Sequence, residues 1–160
     1  MIVYHASNCE VKVPMLVESN RLLDFGPGFY TTSNREQAVR FARSVVMKRG
    51  GTPILNVYEF DEAAAGAALL TKRFRAPDNE WLDFVVANRC GKYAGERFDV
   101  VIGPVANDSV YQTIGLYIKG FMSHEATIQE LRVHSLYDQI VFCQPKAFSF
   151  LKIVGQEALQ

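Results

Sequence analysis

The stretch Asp24-Phe25-Gly26-Pro27-Gly28-Phe29-Tyr30-Thr31-Thr32 decides how this chain is read. Gly26 and Gly28 permit a tight, crowded backbone path, and Pro27 fixes φ between them. Phe29-Tyr30-Thr31-Thr32 then has the aromatic and β-branched content of a strand start. A simple corner could be made with Asn-Gly or Asp-Gly. This run instead delivers a tyrosine from a rigid turn into a strand, which suits a side chain that stacks on a flat ligand.

Working outward, Ile2–Tyr4 reads as a short apolar strand ending at His5-Ala6-Ser7. A short helix is expected around Val17–Leu23, after Pro14. Ser33 with Glu36 forms a capping box that opens the clearest helix, with Ala38, Phe41, Ala42, Val45 and Val46 as its inward stripe. Gly50-Gly51 stops it. Ile54–Phe60 reads as a strand and Asp61–Leu70 as a turn with a loose helical segment. Pro77-Asp78-Asn79 opens a second firm helix that buries Trp81, Phe84 and Val85, and the same face reaches Asn88 and Arg89. Phe98–Ile102 is a buried strand. A third helix runs from Asp108 or Ser109 to Phe121 with Val110, Ile114, Tyr117, Ile118 and Phe121 inward, and a fourth from Ser123 to Arg132. Gln139–Cys143 is the last clear strand, and Lys146–Val154 can be helix or strand. Strands and helices interleave without a βα repeat, so the expected class is α+β with a mixed, split sheet in a single domain over 1–160.

Composition narrows the function classes. Seventeen basic residues balance 17 acidic ones, so no excess of cations marks a phosphate backbone as the dominant partner. No positive, then apolar leader opens the sequence, and no apolar run approaches a membrane span. Cys9, Cys90 and Cys143 are odd in number and scattered, unlike a disulfide framework. These features lead to the expectation of a cytoplasmic protein with no membrane partner. Asp24-Phe25-Gly26 is not a kinase triplet, since no His-Arg-Asp loop accompanies it. Gly26-Pro27-Gly28 opens a strand rather than the helix a dinucleotide turn requires. His5 with Cys9, and His124 with His134, lack a metal-ligand set.

Three segments in order, His5-Ala6-Ser7, Gly26-Pro27-Gly28-Phe29-Tyr30 and Tyr137-Asp138-Gln139-Ile140-Val141-Phe142, resemble the histidine–tyrosine branch of the ADP-ribosyltransferase superfamily. That branch includes the diphtheria-toxin-like enzymes and the poly(ADP-ribose) polymerases. Trp81-Leu82-Asp83-Phe84-Val85-Val86, Asn88-Arg89 and Val101 to Asp108 extend the likeness to a bacterial family of small proteins placed in that superfamily. The resemblance implies a split mixed β-sheet with flanking helices and NAD as cosubstrate, with no metal. It further implies cleavage of the nicotinamide–ribose bond and transfer of ADP-ribose to a protein, nucleic acid or small-molecule acceptor. A toxin or effector of this kind would have a cognate inhibitor protein as partner.

By the same resemblance His5 holds ribose hydroxyls, the backbone of Ala6 bonds the nicotinamide amide, Tyr30 puts a π-face under the ring, and Ser7, Gly28, Phe29 and Thr31 are further NAD-binding positions. Ala6 departs from the usual glycine. The third position usually carries Glu, whose charge stabilises the oxocarbenium-like ribose. Here it is Asp138 or Gln139, and strand alternation lets only one face the cleft. Gln139 is favoured, which suits slow turnover or a fold that binds NAD, or a protein partner, without catalysis. Asn88 and Arg89 are either a helix C-terminal pair or cleft residues, with Arg89 offering a planar fork to the pyrophosphate.

Overall fold

A computed structural model describes residues 1–16, 22–104, 108–133 and 136–160, with the backbone alone at 108–109. The elements run β1 (Ile2–Ser7), β2 (Phe29–Thr31), α1 (Arg35–Arg49), β3 (Ile54–Phe60), α2 (Glu62–Ala68) and β4 (Thr71–Arg73). They continue as α3 (Asn79–Arg89), β5 (Val100–Pro104), α4 (Asp108–Ile118), α5 (His124–Arg132), β6 (Asp138–Phe142), a 3₁₀ turn (Pro145–Phe150) and β7 (Leu151–Ala158).

The strands form two sheets, β1-β3-β7 and β2-β6-β5-β4. The first is antiparallel throughout; in the second only β4 and β5 run parallel. A bridge joins them, with Tyr4 N–H donating to the Thr32 carbonyl at 2.8 Å and Thr32 N–H returning to Tyr4 at 3.1 Å. The class is therefore α+β with a sheet in two parts, as the sequence predicts.

Alternation along the strands sorts the apolar side chains into three layers. Ala38 and Ala42 of α1 pack on Leu55 at the outside of the first sheet. Val3, Phe29, Tyr58, Ile140 and Phe142 fill the space between the sheets. Val141, turned the other way, joins Phe25, Phe74, Trp81, Val85, Ile114 and Leu131 under the helices on the far side of the second sheet. Trp81 is fully buried and donates its indole N–H to the Pro104 carbonyl at 3.1 Å. That bond fixes α3 against the end of β5 and so places Asn88 and Arg89.

Several local readings need correction. The cap of α1 is Asn34, whose side chain accepts from Gln37 N–H at 2.8 Å; Ser33 is drawn instead to Asp138 at 2.6 Å. Phe41 is exposed, because the small Ala38 and Ala42 let α1 sit close on its sheet and leave no room at the flank. Gly120, at φ +77°, closes α4 after Ile118, so Phe121 lies beyond the helix and outside the core. Ile118 is exposed as well. The ambiguous tail resolves into both alternatives, a 3₁₀ turn and then β7. The helix expected at Val17–Leu23 falls largely outside the described residues, and Leu22 and Leu23 are not helical.

Candidate functional site

The Gly-Pro-Gly turn is crowded on both sides. A methyl group on Gly28 would lie 2.4 Å from Val141 Cγ1 and 3.1 Å from the Phe142 carbonyl. Gly26 has φ +76°, and a methyl there would meet Asn88 Oδ1 at 2.8 Å. The turn thus lies wedged between β6 and the C-terminal turn of α3, which only glycines allow.

β2 then turns Phe29 and Tyr30 to opposite faces. Phe29 enters the layer between the sheets, and the His5 ring stacks on it with centroids 4.1 Å apart. His5 Nδ1 lies 2.8 Å from the Tyr30 carbonyl oxygen. A carbonyl only accepts, so Nδ1 carries the proton and Nε2 presents a lone pair. Burial lowers the His5 pKa from 6.5, and the bond to Tyr30 opposes this less strongly. The imidazole is therefore neutral at physiological pH, a hydrogen-bond acceptor through Nε2.

The linkage has a definite sign. A histidine whose folded-state pKa lies below 6.5 binds fewer protons than the unfolded chain, so its contribution is full above pH 6.5 and is lost as pH falls through 6.5 toward the folded value. Thermal unfolding of wild type should accordingly show a larger loss between pH 8 and pH 5 than His5→Gln shows. Parallel curves for the two proteins would place the acid sensitivity elsewhere.

Tyr30 packs its ring against the far-side core. Its hydroxyl donates to the Gly26 carbonyl at 2.6 Å and accepts from Phe25 N–H at 3.2 Å. Burial raises its pKa far above neutrality, so the hydroxyl acts as a neutral brace across the turn. His5 and Tyr30 thus meet at one junction through ring and carbonyl, while their rings occupy opposite sides of β2.

Asp138 and Gln139 separate as alternation requires. The Asp138 carboxylate accepts from Ser33 N–H at 2.9 Å and Ser33 Oγ–H at 2.6 Å. The Thr32 hydroxyl lies between Asp138 (3.0 Å) and Gln37 (2.8 Å). Gln139 shares the face of Val141 and Tyr30 and is only 7% exposed. Its Nε2 has no hydrogen-bond partner among the described residues. An unpaired buried donor costs about 1–3 kcal/mol. Gly103 stands opposite Gln139 in the register, and a methyl on Gly103 would lie 3.1 Å from Phe25 Cζ. The Phe25 ring therefore stands against the β5 position that faces Gln139 in the register.

Asn88 and Arg89 reach this same face from α3. Asn88 Nδ2 donates to the Phe84 carbonyl at 2.9 Å. Arg89 Nε donates to Asp24 Oδ1 at 2.6 Å, and its guanidinium lies 4.3 Å from the centre of the Tyr111 ring. Asp24, Phe25 and Tyr111 were not legible as members of this cluster, because nothing in the sequence links positions 24, 89 and 111. Other expected residues lie apart from it. Thr31 faces inward and donates to the Ile140 carbonyl at 2.8 Å. Ala6 packs toward α1, and the Ser7 hydroxyl is within 3.5 Å of Cys9 Sγ. Burial pushes the Cys143 thiol up to about 12, which leaves it protonated at neutral pH. Among the described residues no cluster of three or more His, Cys, Asp or Glu is arranged to hold a metal, and no helix is long and apolar enough to cross a membrane.

Fold and junction together define an α+β protein in which a glycine turn, a bracing tyrosine and an amide nitrogen without a partner among the described residues share one face of a mixed sheet. Residues 1–153 match the sequence model of a family described as a protein of unknown function, DUF3990, and the chain belongs to that family. No curated protein and no solved structure matches it.

Proposed function

We propose that this chain has an ADP-ribosyltransferase-like fold, binds NAD at the junction of β1, β2 and β6, and transfers its ADP-ribose to an acceptor. The observation that carries the reading is the Gln139 amide nitrogen, buried and without a partner among the described residues on the face it shares with Tyr30. A ribose hydroxyl is a natural acceptor for such a donor. On this reading Tyr30, which shares the Gln139 face, supplies a flat surface for nicotinamide, and His5, whose ring lies on the other side of β2, positions the Tyr30 carbonyl. Gly28 and Phe29 supply backbone and walls. Nicotinamide leaves with the electron pair of its bond to ribose, and the acceptor's nucleophile attacks the ribose carbon and loses its proton. The neutral amide orients the sugar but stabilises the developing cation less than a carboxylate would, so turnover is slow. The acceptor is a protein side chain, a nucleic acid or a small molecule. A cytoplasmic toxin or effector restrained by an inhibitor protein fits this chemistry.

One observation favours a second reading. The Tyr30 hydroxyl braces its own turn and the third position is an amide, as in a fold that binds NAD or a protein without turning over. Incubation with labelled NAD, scoring nicotinamide release and label transfer, separates the two. Release supports the enzyme, binding without release supports the module, and no binding removes both NAD readings. Tyr30→Ala should weaken binding by about 1–2 kcal/mol through loss of an aromatic contact, while Tyr30→Phe should keep most of it. Equal losses by titration calorimetry would assign the effect to the hydroxyl.

A further inference from the structure

The segment Asp24-Phe25-Gly26 lies over the face that carries Tyr30 and Gln139, and contacts of different kinds hold it there. Phe25 is buried to 3% exposure, with Phe74 and Phe84 around its ring. The Tyr30 hydroxyl binds both Phe25 N–H and the Gly26 carbonyl. Asp24 pairs with Arg89 at 2.6 Å, the two side chains being 14% and 10% exposed. The last contact differs from the others because it rests on charge. A helix C-terminus repels carboxylates, so among the described residues it is Arg89 that draws Asp24 to the end of α3. The guanidinium is held independently by the Tyr111 ring on which it lies.

We propose that Asp24, acting through Arg89, is a positioning residue that latches this segment shut over Gln139, and that the segment must lift before a ligand reaches the amide. With the latch closed, the Phe25 ring occupies the space beside Gly103, the residue opposite Gln139 in the register, and Gln139 stays covered. Two glycines flank Pro27, so the backbone has swivel points on both sides of the turn. The identity of the ligand as NAD rests on the reading above; the latch does not.

The test pairs hydrogen exchange with an NAD titration, on wild type and Asp24→Asn. The substitution keeps the shape and an acceptor for Arg89 and removes the charge. Exchange at the Phe25 and Gly26 amides should accelerate about tenfold, while Ala38 in α1 and Leu55 in β3 keep their protection, the signature of local opening. Unchanged exchange at Phe25, or equal acceleration at all four positions, overturns the latch. A ligand that needs the open form binds in proportion to its population, so NAD should bind Asp24→Asn about tenfold more tightly. A residue that only supports the fold would give no such gain. Weaker or equal NAD binding beside faster local exchange overturns the gating role. If neither protein binds NAD, the NAD reading fails and the exchange result still decides the latch.

Discussion

Gln139→Met is expected to stabilise the fold by about 1–2 kcal/mol and to lower nicotinamide release on the order of 100-fold, a pairing that only a ligand-facing amide produces. The first effect follows from burial. Gln139 is buried on the strand face that also carries Val141, and its amide nitrogen has no partner among the described residues. Methionine fills nearly the same volume without a donor, so the desolvation cost disappears while the packing stays. The second effect follows from the proposed role, since the thioether cannot orient a ribose hydroxyl. Gln139→Glu should move both quantities the other way. A buried carboxylate costs stability at neutral pH, yet it places negative charge beside the forming cation and should speed release. Chemical denaturation and a nicotinamide-release assay on the three proteins check this. If Gln139→Met is less stable and equally active, the amide has a structural partner and the site lies elsewhere.

The fold was legible where local chemistry is self-contained. Asp78 and Ser123 cap α3 and α5 through bonds to residues three positions on, and Gly50 at φ +73° ends α1. Those signals need no tertiary partner. The β4 strand was missed because its three residues, Thr71–Arg73, are a strand only by pairing with β5. Ser33 was misread as a cap because a carboxylate 105 positions away competes for its hydroxyl. In the candidate site, strand alternation separated Gln139 from Asp138 correctly in direction, since a period of two is a local property. The hydroxyl of Tyr30 gave no such sign. Its bonds run to backbone atoms of Phe25 and Gly26, whose positions depend on Asn88 and Arg89 in a helix far along the chain. Contacts of that kind carry no periodicity, so only the folded arrangement reveals them.

Asp138→Ala is expected to lower the unfolding free energy by about 3 kcal/mol, because charge-assisted hydrogen bonds contribute about 1.5–3 kcal/mol each and do not simply add. Two donors of Ser33 lose their acceptor, and the Thr32 hydroxyl keeps Gln37 and the Asn34 N–H. Thr32 is also the residue that bridges to Tyr4, so the loss falls on a bridge that joins the two sheets. Asp138→Asn keeps an acceptor for Ser33 N–H and should cost about half as much, the remainder being charge. Neither change touches the face that Tyr30 and Gln139 share. Nicotinamide release per folded molecule, measured well below the unfolding transition, should therefore stay near wild type in both variants. A variant that stays folded but loses release would transfer the role at the ribose from Gln139 to Asp138, and with it the chemistry from an orienting amide to an acidic site. Stability that falls while release persists would instead fix Asp138 as the residue that holds β2 to β6, and leave the adjacent amide as the group available to a ligand.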